Sequence, residues 1–559
     1  MNKKLLLFVS LFLASTLAFS GGLVTNTNQS TAWTRMLVRD ASTGIDAVFY
    51  NPAGLTKLSD GFHFSINNQS LSQTQNITST FPFLNGQAYE GTVSAPMFPG
   101  VYGVYKKGKM AFSFGFNPVG GGGGATFAKG LPSMEIPFAG MVPVFGGALA
   151  PLGGSINGYS MNMLFEGQSV YFGLQAGISY EVNDWLSVYL GARYIMAKNS
   201  YNGYIRDVKF NTGDMGSLAP GTYVGAYGDG AAANALLATG GGDAMNPLIA
   251  LNYGSLDLTT QLPAAYSAGI IAGLLQMGIP QSSINAMTVA QAQQTFYGIA
   301  GQLNTASAQL GSYAALLDVV TADQDADVVQ TGSAITPIIG ANLSFLNDKL
   351  NFGIKYEFKT ELVLTDDVAD LNGVELGFID GIDATGNPTY MFKDGNETNA
   401  DMPAFLSVGV AYQATDKFNV TLGYHTYFDE KAGWATNDAG KATVDGNFVE
   451  YGIGFEYAVA KRLLLSVGAL HTTTNVTEFY QDDLSYSLNT NTYGGGAAYK
   501  INDTFTLQFG IFDTQYSTAS YDKSYTLMDG ATTIPYKETY AKHTWAYSFG
   551  IDISLGSKK

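Results

Sequence analysis

Large apolar residues alternate with small or polar ones along several stretches of the chain. In Thr544–Leu555, Trp545, Tyr547, Phe549, Ile551, Ile553 and Leu555 are interleaved with Thr544, Ala546, Ser548, Gly550, Asp552 and Ser554. The same period recurs around Met110–Asn117, Leu350–Lys359, Phe418–His425 and Val449–Tyr457. A two-residue period places one set on each face of a β-strand. The face opposite the oily one is rich in Gly, which a wetted sandwich face rarely is.

The connections are asymmetric. Short polar turns are expected at Lys107-Gly108-Lys109, Asn183-Asp184, Asn347-Asp348, Thr415-Asp416, Ala460-Lys461 and Asn502-Asp503, most of them suited to tight hairpins. Long loops are expected at 72–97, 118–170, 197–334, 362–402, 429–447, 475–489 and 516–542. Six short turns alternating with seven long loops predict about fourteen strands, an even number as in bacterial outer-membrane barrels. Ten rises of ~3.3 Å from Trp545 to Leu555, tilted by ~40–45°, span about 25 Å, the height of a lipid-facing band. The fold class read from this pattern is all-β: a transmembrane antiparallel β-barrel whose closure leaves no strand edge in hydrocarbon.

Composition agrees. The formal net charge is −17 and there is no Cys, so nucleic acid is an unsuitable partner and no disulfide framework exists. Residues 1–20 read as a secretory signal peptide: two lysines, an apolar run at Leu5–Leu13, then Ala18-Phe19-Ser20 at a cleavage site. No later run reaches ~18 uninterrupted apolar residues. The expected location is the Gram-negative outer membrane, as a monomer in contact with membrane lipid and lipopolysaccharide. The chain ends Leu555-Gly556-Ser557-Lys558-Lys559 rather than on the aromatic residue through which many such barrels engage the barrel-assembly machinery.

Residues 21–60 break the alternation. Trp33, Met36, Leu37, Val48 and Phe49 are too apolar for a solvated tail, and Asn51-Pro52-Ala53-Gly54-Leu55 does not suit a strand. A compact segment folded back into the lumen is expected, with residues 61–559 as the barrel. The stretch Asp40–Gly61, "DASTGIDAVFYNPAGLTKLSDG", placed before the first strand, resembles the hatch of the FadL/TodX family of outer-membrane transporters. Asn51, Pro52 and Ala53 match that family's Asn-Pro-Ala motif. The resemblance implies a barrel plugged by an N-terminal hatch and passive uptake of long-chain fatty acids or similar hydrophobic compounds. It further implies capture by extracellular loops and sideways release through an interruption in the third strand. Here that strand runs into Asn117, Pro118 and Gly120, where proline removes a ladder donor and a glycine run weakens pairing.

Ligand-binding candidates follow from apolar segments outside the strands. The loop 197–334 contains two helical patterns, Ala264–Met277 and one opened by Thr288-Val289-Ala290-Gln291. Ile270, Ile271, Leu274, Leu275 and Met277 are candidates for a capture groove; the alternative is that the helices pack on each other. Met134 and Phe138, in a proline-constrained apolar stretch, are candidates for the entry route, against a simply packed loop. Arg193, Lys355 and Lys359 are candidate partners for a carboxylate, against neutralising Glu357, Glu450 or Glu456 across the lumen. The acidic loop 362–402 leaves an uncharged hydrocarbon open as substrate. Asp323–Ala334 lacks the Gly and Glu of a calcium loop and the four His are scattered, so no metal, cofactor or catalytic residue is assigned. A general porin for polar solutes is the alternative reading, and an outer-membrane hydrolase a more distant one.

Overall fold

The computed structural model describes residues 23–371, 374–382, 387–437 and 439–556. The expected signal peptide and the terminal Ser557-Lys558-Lys559 lie outside the described residues.

Fourteen antiparallel strands close into a barrel. They are β1 Gly61–Ser79, β2 Ala88–Lys107, β3 Met110–Phe127, β4 Ile156–Asn183, β5 Leu186–Thr212, β6 Gln324–Phe345 and β7 Leu350–Glu357. The wall continues with β8 Phe405–Thr415, β9 Phe418–Tyr427, β10 Phe448–Ala460, β11 Leu463–Thr473, β12 Thr490–Lys500, β13 Phe505–Tyr516 and β14 Thr533–Gly556. The last strand pairs with the first from Gly61 opposite Gly556 to Ser79 opposite Glu538.

The two faces divide as the alternation predicts. Phe549 is 60% exposed and its neighbour Ser548 is 0% exposed. Exposed Phe64, Phe112, Ile354, Leu422, Val467 and Phe509 extend the apolar outer surface around the wall. Such a band is stable only against lipid. The barrel therefore lies in the outer membrane of a Gram-negative cell, its six short turns at the periplasmic end.

On the long-loop side the strands outrun the predicted loop boundaries. β1 continues to Ser79, β3 to Phe127 and β5 to Thr212, while β4 begins at Ile156. Above the membrane no lipid demands an oily outer face, so the alternation fades while backbone pairing persists. Lys537, exposed near the top of β14, pairs there with Asp522 at 3.4 Å.

Residues 23–57 lie inside the barrel. They contain two one-turn helices, α1 Thr31–Thr34 and α2 Ala47–Tyr50, and a tight 3-10 segment at Pro52–Lys57. Ser30 caps α1 by accepting from the Trp33 N–H at 3.0 Å. Trp33 meets Phe512 of β13 edge to face at 5.7 Å between ring centroids.

Outside the membrane, α3 Pro132–Leu149 caps the mouth. Its prolines predict a packed loop rather than a helix, yet Pro137 and Pro143 lie inside the helix. Its length and apolar composition would suit a membrane span, but half of it is buried under the outer loops. Between β5 and β6 stand α4 Pro220–Asp243, α5 Ala264–Gln276 and α6 Val289–Val320. The expected capping box at Thr288 and Gln291 is formed. α6 pairs mainly with α4, a helix without an apolar periodicity of its own in the sequence. Glycine made α4 look like loop, yet glycine lets its axis approach α6: a Cβ at Gly228 would lie 3.3 Å from Leu310 Cβ.

Candidate functional site

The wall is interrupted between β2 and β3. They pair from Lys107–Met110 up to Val101–Phe116, and again from Val93–Ala125 to Gly91–Phe127. The residues between, 94–100 on β2 and 117–124 on β3, do not pair with each other. The β3–β4 ladder slips at Pro118, Gly120 and Gly123, so β3 bends away from β2 while staying attached to β4. Pro118 has no N–H to give, and Gly121 and Gly123 take positive φ, of 82° and 73°, that other residues rarely adopt.

The N-terminal segment occupies the inner side of this break. Thr25 bridges Gly120, and the Asn26 N–H donates to the Val119 carbonyl at 2.8 Å. Gln29 is tied to both edges. Its side-chain amide donates to the Pro118 carbonyl at 2.8 Å and accepts from Asn117 at 2.7 Å. Its own carbonyl accepts from the Tyr102 hydroxyl of β2 at 2.7 Å, and its N–H donates to Tyr50 at 2.8 Å.

From Gln29 the segment circles the inner wall on a track of inward-facing glycines. Added Cβ atoms would lie 2.8 Å from Thr31 Oγ1 at Gly550, 2.9 Å from Arg35 N at Gly510 and 2.7 Å from Met36 Cε at Gly454. At Gly409 the neighbour is Asp40 Cβ, at 2.5 Å. Arg35 pairs with Glu456 at 2.6 Å. The carboxylates of Asp40 and Glu450 sit 2.6 and 2.7 Å from the two ring nitrogens of His425, leaving neither free to serve as base to a hydroxyl. The segment then docks on β4–β7. Asn51 donates to Asn342 at 2.8 Å and to the Ser42 carbonyl at 3.0 Å, closing its own loop. The Pro52 carbonyl accepts from Ser179 at 2.6 Å, and Ala53 is fully buried with Tyr189 and Ile338.

No family model matches the chain, and no curated protein matches it. Solved structures do. A FadL homologue from Pseudomonas aeruginosa is similar over 95% of this chain and 99% of its own, with TM-score 0.52 and 12% identity. The chain has the FadL barrel fold. The P. putida toluene transporter TodX aligns over 92% of this chain and 95% of its own, with TM-score 0.45 and 11% identity. The Ralstonia pickettii toluene transporter TbuX covers 91% and 94%, with TM-score 0.43 and 14% identity.

In this FadL-type barrel, Asn117, Pro118 and Gly120 stand at the wall break, inside a continuing strand rather than in a loop beyond it. Asn51, Pro52 and Ala53 anchor the inner segment to the wall. The candidate carboxylate partners are engaged within the protein. Arg193 grips Glu357 with both terminal nitrogens, at 2.5 and 3.0 Å, and Lys355 reaches the same carboxylate at 2.8 Å. Lys359 pairs with Asp401 at 2.6 Å.

Met134 and Phe138 are buried on α3, in the main apolar cluster. Glu135 between them accepts from Tyr89 and Tyr159, both at 2.5 Å, locking the helix over the mouth. The candidates on α5 lie away from this cluster. Leu274 is fully buried in a separate core formed by the outer helices; Ile270, Ile271 and Met277 pack against it, and Leu275 is 45% exposed. Gln29 and the glycine track were missed from sequence. A glutamine in a non-periodic segment carries no signal of its own, and the glycines were visible only as a small-residue face without a partner.

Proposed function

We propose that the protein admits hydrophobic compounds, long-chain fatty acids or hydrocarbons, through the outer membrane by passive diffusion. The observation that carries this reading is the wall break between β2 and β3 with Gln29 and Thr25–Asn26 seated on its inner side. A polar-solute porin needs an open lumen and has no use for a hole facing lipid. A hydrophobic solute does: leaving sideways spares it the periplasmic water, about 0.8 kcal/mol per CH₂ kept out of water. Residues 21–60 act as the hatch, the break is the exit, and the loops carrying α3 and α5 capture substrate. The chain does no chemistry on its cargo.

Deletion of Gly21–Leu55 tests this. The truncated protein is expected to keep a heat-modifiable barrel, to leak small polar solutes, and to lose selective uptake of a labelled long-chain compound. Undiminished selective uptake would remove the segment from the mechanism.

A further inference from the structure

Five lysine or arginine side chains are buried among the described residues: Arg35, Lys106, Arg193, Lys355 and Lys542. Four of them have carboxylates within the protein: Glu456 for Arg35, Asp60 for Lys106, and Glu357 for both Arg193 and Lys355. Lys542 has none. It is 6% exposed, and its ammonium donates to the Tyr486 carbonyl at 2.7 Å while lying 3.9 Å from the centre of the Tyr486 ring. A carbonyl and a ring face do not neutralise a buried charge, and one hydrogen-bond acceptor falls short of the three an ammonium can use.

Its position is also informative. Lys542 faces inward from β14, opposite Gln75 of β1. Six residues further along β14, Ser548 holds Thr31 of the inner segment at 2.6 Å. At ~3.3 Å per residue and a tilt of ~40–45°, Lys542 stands about 15 Å outward of that contact, on the extracellular side. Tyr486, Leu488 and Phe512 share one continuous apolar cluster with Val119 and Met402 beside the wall break. These side chains join an unpaired cation to the break by continuous apolar contacts, the two features that a long apolar chain with one anionic end would use.

We propose that Lys542 receives the carboxylate of a long-chain acid in the outer lumen and so selects acids over neutral hydrocarbons. This rests on the uptake reading above and adds the residue that reads the headgroup. Arg193, Lys355 and Lys359 cannot share that role without breaking pairs they already make.

The experiment compares oleate with oleyl alcohol, the same chain without a charge, binding to purified full-length protein in detergent. Lys542→Met keeps the length of the side chain, and heat-modifiable migration checks its folding. Expected is at least a tenfold loss of oleate affinity in Lys542→Met, alcohol affinity within twofold of wild type, and oleate binding recovered in Lys542→Arg. Equal losses for both ligands, or no loss for oleate, would overturn the assignment. Wild-type protein that binds only the alcohol would overturn it while leaving hydrophobic uptake standing. Wild-type protein that binds neither would overturn both.

Discussion

Gly409 of β8 lies against Asp40 of the inner segment so closely that a Cβ on the glycine would sit 2.5 Å from Asp40 Cβ. The lumen wall is bare here because the segment's backbone fills the space. Gly409→Val is therefore expected to insert as a barrel but to release the segment, so that limited proteolysis cuts within Thr31–Tyr50. Gly495, which has only ordinary contacts at 3.6 Å or more, serves as control. Gly495→Val is expected to leave the segment protected. Equal protection of both variants would show that the segment does not depend on the glycine track.

The lipid face gives a second prediction. Phe549 points outward in mid-strand, so Phe549→Arg should cost about 2–4 kcal/mol of barrel stability. Phe549→Leu should cost less than about 1 kcal/mol. Folding titrations into lipid vesicles measure both, and similar costs would contradict the facing.

Glu357 neutralises two buried cations at once, whereas Lys355 is one of two partners of that carboxylate. Glu357→Gln leaves Arg193 and Lys355 buried together without the carboxylate they share, a change on the order of 3–5 kcal/mol. Lys355→Met leaves the Arg193–Glu357 pair intact and is expected to be the milder. The same vesicle titrations rank them.

Asp429, in the loop after β9, is buried, and burial pushes its carboxyl up to about 7. A folded-state value above the unfolded one, ~3.9, means the folded protein holds this proton more tightly. The resulting stabilisation is full below about pH 4 and is lost as pH rises through 7. Asp429→Asn cannot ionise and can still accept from the Phe448 N–H, which lies 2.9 Å from the aspartate. It is expected to raise the temperature of heat-modified migration at pH 8 and to change it little at pH 4. A larger gain at pH 4 would contradict the sign.

Much of the wall was legible in the sequence because lipid imposes one rule on every strand it touches. Phe549 and Ser548 could be placed on opposite faces from their alternation alone. Beyond the membrane that rule lapses, which is why the upper parts of β1, β4 and β5 read as loop. α4 was hidden for a different reason: its glycines are breakers by propensity and close-packing residues in context. Within the site, Pro118 and the following glycines marked the break, since their backbone chemistry is local. Gln29, Lys542 and the pairing of Arg193 with Glu357 depend on which residues meet across a closed barrel, and no short-range pattern encodes that.

The proposed exit through the wall is tested by closing the break. With no cysteine in the chain, Ser94→Cys and Gly124→Cys introduce one unique pair at the positions that would continue the register beyond Val93–Ala125. Uptake of a labelled long-chain compound is then measured in cells with the pair bridged by a short thiol cross-linker that reductant cleaves. Bridging is expected to stop uptake and reduction to restore it. Uptake at the same rate with the bridge intact would contradict a lateral exit between β2 and β3.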